Sequence, residues 1–138
     1  MAHIGLISCV RQKQEASARA MDMYGSTLFK KSRAYVEQRC DLWFIMSAKY
    51  GLVAPDRVIE RYEMTLNTMP LLKRLEWSQR VWLDLRSHLS PGDKVTILAG
   101  ERYRKHLILL LENYGCQVHV PLQGMAIGKQ LQWLSQQI

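Results

Sequence analysis

Three segments of this 138-residue sequence place polar or charged side chains directly after apolar runs, and such positions can carry chemistry. The richest is Ala99-Gly100-Glu101-Arg102-Tyr103-Arg104-Lys105-His106. Gly100 permits a tight bend, which would put Glu101 at a helix amino terminus, where the charged form of a carboxylate is favoured. A carboxylate held charged suits a nucleophile or a base better than a proton donor. It can attack or stabilise the positive charge that builds on a sugar when an N-glycosidic bond breaks. Arg102 and Tyr103 could hold a substrate carboxylate, phosphate or ring. The competing explanation is a helix cap at Glu101 with Arg102, Arg104 and Lys105 in solvent.

A second segment, Ser47-Ala48-Lys49-Tyr50-Gly51, follows five apolar residues. Ser47 and Lys49 are expected at a rim rather than in the core. Lys49 could bind phosphate or tune a neighbouring carboxylate, and Tyr50 could stack on a ring or use its hydroxyl. A capped loop with a wedged tyrosine is the plainer alternative. The third segment is Ser8-Cys9-Val10-Arg11-Gln12-Lys13, where a turn could offer backbone amides to an anion and Lys13 a point charge. It has no Gly-rich phosphate signature, and no histidine lies near Cys9 in sequence to activate it, so Cys9 reads as a ligand contact or as packing. Ser8 and Ser47 would add short hydrogen bonds. Further along, Glu60, Tyr62, Thr65 and Asn67 could reach in from a lid-like connection, while Gln123 and Lys129 near two glycines could equally be surface.

These segments need a frame that brings them together. Apolar runs at His3–Ser8, Leu42–Met46, Lys94–Ala99 and Cys116–Val120 predict four strands, the first nearly continuously apolar and the second apolar on both faces. Between them lie predicted helices over residues 25–39, from Pro70 to about Leu89, from Gly100 to Tyr114, and over about 125–137. Ser26 or Gly25 suits the start of the first, and Gly115 the end of the third. Leu72, Leu75, Trp82, Leu85 and Leu89 trace the expected inner face of the long helix. Residues 52–68 show no periodicity and predict a long irregular connection. The alternation predicts a single α/β domain over residues 1–138 with three layers, a mostly parallel sheet of about four strands and helices on both faces. Its strand-to-helix loops would share one edge, so Lys13, Lys49, Glu101 and Arg102 should meet along a single rim. The strand order is not legible.

Composition sets the bounds. Apolar residues make up 48% and charged residues 22%, enough for a core and against disorder. Three widely spaced cysteines oppose a disulfide framework, and no CxxC or HExxH spacing suggests a metal. No metal or cofactor is expected. The amino terminus lacks the character of a signal peptide and no apolar run could span a bilayer, so a cytoplasmic protein without membrane partners is expected. A net charge of +7 favours a phosphate-bearing small molecule or a nucleic acid as partner, although the basic residues form no tract.

The pieces Leu6-Ile7-Ser8-Cys9 with Lys13, Trp43 to Leu52 including Ser-Ala-Lys-Tyr-Gly, Glu60 to Asn67, and Leu98-Ala99-Gly100-Glu101-Arg102-Tyr103 together resemble a family of small bacterial and phage proteins known as a domain of unknown function. The resemblance covers essentially the whole chain. More remotely, Cys9-Val10-Arg11-Gln12-Lys13 is similar to a Cys-Ser-x-x-Lys segment in the core domain of archaeosine synthase, which acts on a modified base in transfer RNA, with Val10 here in place of the serine. The same architecture also looks like that of small nucleoside-processing enzymes. The expected function is therefore an enzyme acting on a nucleoside, nucleotide or modified base, by cleavage or exchange of an N-glycosidic bond. In this scheme Glu101, Tyr103 and Lys49 are catalytic, and Ser8, Cys9, Lys13, Ser47, Tyr50, Arg102 and Asn67 bind substrate. The alternatives are a non-catalytic nucleic-acid-binding or accessory module, and a scaffold or small-molecule sensor using the same pocket.

Overall fold

The computed structural model describes residues 1–8 and 13–138, so Cys9, a candidate substrate contact, lies outside the described residues. In chain order the elements are β1 (His3–Ile7), β2 (Ala18–Arg19), α1 (Ala20–Met23), α2 (Thr27–Arg39), β3 (Leu42–Ser47), β4 (Gly51–Val53) and β5 (Val58–Ile59). A 3-10 turn at Leu66–Thr68 follows, then α3 (Leu71–Arg86), β6 (Lys94–Leu98), α4 (Glu101–Tyr114), β7 (Gln117–His119) and α5 (Ile127–Gln137).

The architecture is α/β around a mixed, mostly parallel five-stranded sheet of order β4-β3-β1-β6-β7. The four expected strands form its parallel part, with β1 flanked in register by β3 and β6, and β7 beside β6. The fifth strand departs from the expected count. β4 runs antiparallel to β3, pairing Val53 with Ile45 and Gly51 with Ser47. A reversal this tight needs a residue at positive φ, and Gly51 supplies it at 75°. The Ser47 hydroxyl accepts from the Tyr50 amide at 3.0 Å and closes the turn.

The connection over residues 52–68 is also more ordered than its lack of periodicity implied. β5 pairs antiparallel with β2 as a separate two-stranded ribbon. Beneath it, Ala20, Met23, Ile59 and Tyr62 are buried in the main core.

Close backbone approach fixes α2 on the sheet. A side-chain carbon at Gly5 would lie 2.8 Å from Val36 Cγ1 and 3.0 Å from Cys40 Sγ, so only glycine lets the helix settle there. α2 begins at Ser26, whose hydroxyl accepts from the Phe29 amide at 3.1 Å, and α5 packs along it. On the other side of the strand pleat, Phe44 is the in-register partner of Leu6 and meets the His88 ring just beyond α3, centroids 4.7 Å apart. α3 and α4 pack on one another through Trp77 with Tyr103 and Trp82 with Tyr114.

The inner face of α3 differs from expectation. Trp77, Ser78, Val81, Trp82 and Leu85 are buried, whereas Leu72 is 73% exposed and Leu75 also lies at the surface. At about 100° per residue, Leu72 falls roughly 140° around the helix from Leu85, so the two cannot share a face. No described helix is long and apolar enough to cross a membrane.

His3, which opens β1, and His119, which closes β7, form a titrating pair on the sheet. His3 Nε2 lies 2.7 Å from Thr96 Oγ1, and burial, then the Lys94 charge, holds both His3 and His119 below the ordinary imidazole value of 6.5. The unfolded chain therefore binds these protons more readily than the fold does. The stability they contribute is complete above pH 6.5 and is lost as pH falls from there through the lowered folded values. Urea midpoints should fall between about pH 7 and pH 5, and a His3→Gln/His119→Gln double variant should flatten that slope. An unchanged slope in the double variant would contradict the assignment.

Candidate functional site

The sheet order has a physical consequence for ligand binding. From β1 the chain crosses to β3 on one side, then returns to β6 on the other, so the connections diverge between β1 and β6. In open α/β sheets the crevice at such a divergence, outside the carboxyl ends of the strands, is where ligands bind. A cleft of about 250 Å³ lies there.

Its floor is Ser8 after β1 with Leu98, Ala99 and Gly100 after β6. Leu28 and Ser32 of α2 form one wall, and Val120, Leu122 and Ile127 another. The lining mixes apolar side chains with polar ones, the latter from Ser8, Ser32, Arg104 and Gln130, in nearly equal exposed measure. Arg104 is oriented by donating from Nη1 to the Ala99 carbonyl at 2.8 Å, and Gln130 by donating to the Met125 carbonyl at 2.9 Å. The Ser8 amide donates to the Leu98 carbonyl at 3.3 Å, which ties the two strand ends together.

Directly beside the cleft, the first two turns of α4 border a second depression of about 360 Å³. It is lined by Glu101, Arg102, Lys105 and His106 from α4, Arg74 from α3 and Asn67 from the 3-10 turn. Positions 102, 105 and 106 share one helix face by their spacing of three and four. Gly100 thus faces the cleft and Arg102 the cationic depression, with Glu101 between them in the chain.

A third hollow, on the far side of the 3-10 turn, is lined by Lys49, Met64, Met69, Lys73, Glu76, Trp77 and Arg80. The Lys49 carbonyl accepts from Arg80 at 3.1 Å.

The expected site residues are thus divided among several places. Ser8 is in the cleft, Glu101, Arg102 and Asn67 share the cationic depression, and Lys49 lines the third hollow. Lys13 lies over the Tyr62 ring, 4.5 Å from its centroid, and Tyr50 meets the same ring edge-on at 5.8 Å. Tyr62 in turn shares a 2.6 Å hydroxyl contact with Tyr24. The strands that launch these segments run parallel and end at one edge, and among the described hollows Lys49 lines one and Glu101 another.

Two residues sit deeper than expected. Ser47, placed at the rim by the sequence, is fully buried, because its hydroxyl caps the β3–β4 turn and its carbonyl accepts from Trp77 Nε1 at 2.9 Å. Tyr103 is buried beneath the Thr65–Leu66 backbone, where its hydroxyl accepts from the Leu66 amide at 3.4 Å. It supports the turn that carries Asn67.

Sequence reasoning gave no ligand role to Ser32, Arg104 and Gln130 in the cleft or to Arg74, Lys105 and His106 in the depression, and weighed Arg104 and Lys105 only as solvated. For the last two a signal existed, since Arg102, Lys105 and His106 have one-face helical spacing.

The described thiols are poor nucleophiles. Burial, and then the neighbouring Asp41 charge, pushes Cys40 up to about 11, and burial with Asp93 raises Cys116 as well. Among the described residues, no three His, Cys, Asp or Glu side chains come close enough together to hold a metal ion.

A family model matches residues 4–136, nearly the whole chain. The chain belongs to the family of unknown function DUF6884. No curated protein matches it. The match spans every strand and helix that borders the cleft except the extreme ends of β1 and α5, so the cleft is built from the DUF6884 region of the sequence.

Proposed function

We propose that this DUF6884 chain works as one cytoplasmic domain, an enzyme acting on a nucleoside, nucleotide or modified base by cleaving or exchanging an N-glycosidic bond. The fold is taken as three layers, α2 with α5 on one face of the sheet and α3 with α4 on the other. The observation that carries the proposal is the order along α4: cleft, carboxylate, cations. A planar base would enter the cleft, where Ser8, Ser32, Arg104 and Gln130 offer hydrogen bonds to its edge. The sugar would lie at Gly100–Glu101 and its phosphate among Arg102, Lys105 and Arg74.

In hydrolysis the bond between base nitrogen and anomeric carbon breaks, and its electron pair leaves with the base. Water adds a hydroxyl to the sugar and its proton goes to the base. Glu101 is the group placed to stabilise the sugar cation or to bond to it transiently. The distant similarity of the first loop to archaeosine synthase agrees with a base as the moiety recognised.

Calorimetric titration with nucleosides and nucleoside monophosphates tests the cleft. At least one should bind, and Arg104→Ala should weaken it about tenfold or more, as loss of a charged hydrogen-bond donor does. Absence of binding across the series, or an Arg104→Ala variant that binds equally well, would count against this function.

A further inference from the structure

The depression sets three cations, Arg74, Arg102 and Lys105, against the single carboxylate of Glu101. Among the described residues no carboxylate comes within ion-pair distance of Arg74, Arg102 or Lys105; the ion pairs on the surface are made by Arg19, Arg33, Arg61 and Lys73. Gathering three like charges that Glu101 only partly offsets, at more than ion-pair distance, is unfavourable unless an anion occupies the space.

Nor does the charge end at the depression. Arg74 and Lys73 are consecutive on α3, one lining the depression and the other the neighbouring hollow, where Glu76 pairs with Lys73 at 3.6 Å and Lys49 and Arg80 add two further cations. The hollow also has an apolar lining of Met64, Met69 and Trp77. Positive side chains beside apolar ones suit a strand that carries both phosphates and bases.

Building on the assignment of a base to the cleft, we propose that the substrate is a base carried in a single-stranded polynucleotide. The base enters the cleft and the adjoining phosphates follow the basic path over Arg102, Lys105, Arg74 and on to Lys73, Arg80 and Lys49. A single strand fits better than a duplex, because a cleft of about 250 Å³ between helices admits a base only when it is unstacked.

The test uses the full chain and a fluorescent single-stranded DNA of about 12 nucleotides, titrated at several salt concentrations beside a nucleoside monophosphate. The oligonucleotide should bind at low salt. Arg102→Ala/Lys105→Ala should weaken it about tenfold and reduce the slope of log affinity against log salt by about 1.4, two phosphate contacts at about 0.7 each. A control pair with the same charge loss at the amino end of the sheet, Arg86→Ala/Lys94→Ala, should retain most of the affinity. The proposal is overturned if the oligonucleotide fails to bind at low salt, or if both pairs lose affinity and slope equally, which would mean general charge attraction only. Failure of the monophosphate alone counts against the base-binding cleft and leaves the strand path standing.

Discussion

Glu101→Gln should slow base release from an identified nucleoside or nucleotide substrate by about a hundred- to a thousand-fold, the range lost when one electrostatic stabiliser of the transition state is removed. The substitution keeps the size and hydrogen-bonding capacity of the side chain and removes only its charge. Glu101 is exposed and begins α4, so the fold should tolerate it. Affinity for unreacted ligand should hold or tighten, because a carboxylate among Arg74, Arg102 and Lys105 opposes rather than assists phosphate binding. The pattern to measure is therefore a fall in kcat without a rise in the dissociation constant. Equal turnover by the variant would remove Glu101 from the chemistry. A fall in affinity matching the fall in turnover would make it a ligand contact instead.

Trp77→Ala should destabilise the fold by about 3–5 kcal/mol, read by urea denaturation. Trp77 is 4% exposed and joins elements that are far apart in sequence. Its indole donates to the Ser47 carbonyl at the end of β3, and its ring meets Tyr103 of α4 edge-on, centroids 5.5 Å apart and planes at 87°. Tyr103 in turn receives the Leu66 amide and so holds the turn on which Asn67 sits. The variant should lose stability and also loosen both basic hollows. Trp77→Phe keeps most of the packing but leaves the buried Ser47 carbonyl without its indole donor, a cost of about 1–3 kcal/mol. If Trp77→Ala unfolds at the same urea concentration as the parent, the proposed support of the site by α3 is wrong.

Much of the frame is legible in residue pattern alone. Ile4–Ile7, Phe44–Met46 and Val95–Leu98 are apolar at nearly every position because sheet neighbours and helices bury both faces, and such runs permit few other structures. Ser26 and Gly115 mark helix ends by local chemistry that acts wherever the helix packs. What escaped is either too short to leave a pattern or depends on partners remote in sequence. β4 is three residues long and exists through the Ser47 cap and the Gly51 turn, neither of which leaves a periodic trace. Strand order is likewise absent from any local pattern, and with it the divergence between β1 and β6 that locates the cleft. Ser32, Ile127 and Gln130 reach that cleft from two helices at opposite ends of the sequence and look, in sequence, like ordinary helix positions. The Ser47 and Tyr103 hydroxyls both make internal hydrogen bonds, which no sequence pattern reveals.

Backbone amide NMR of the full chain during titration with a nucleoside monophosphate bears most directly on where the base resides. The expected shifts centre on Ser8, Ser32, Gly100, Arg104 and Gln130, which separate segments of the chain contribute to one crevice. Saturable shifts confined to some other surface, with these amides unmoved, would show that the gap between the carboxyl ends of β1 and β6 is not the binding site.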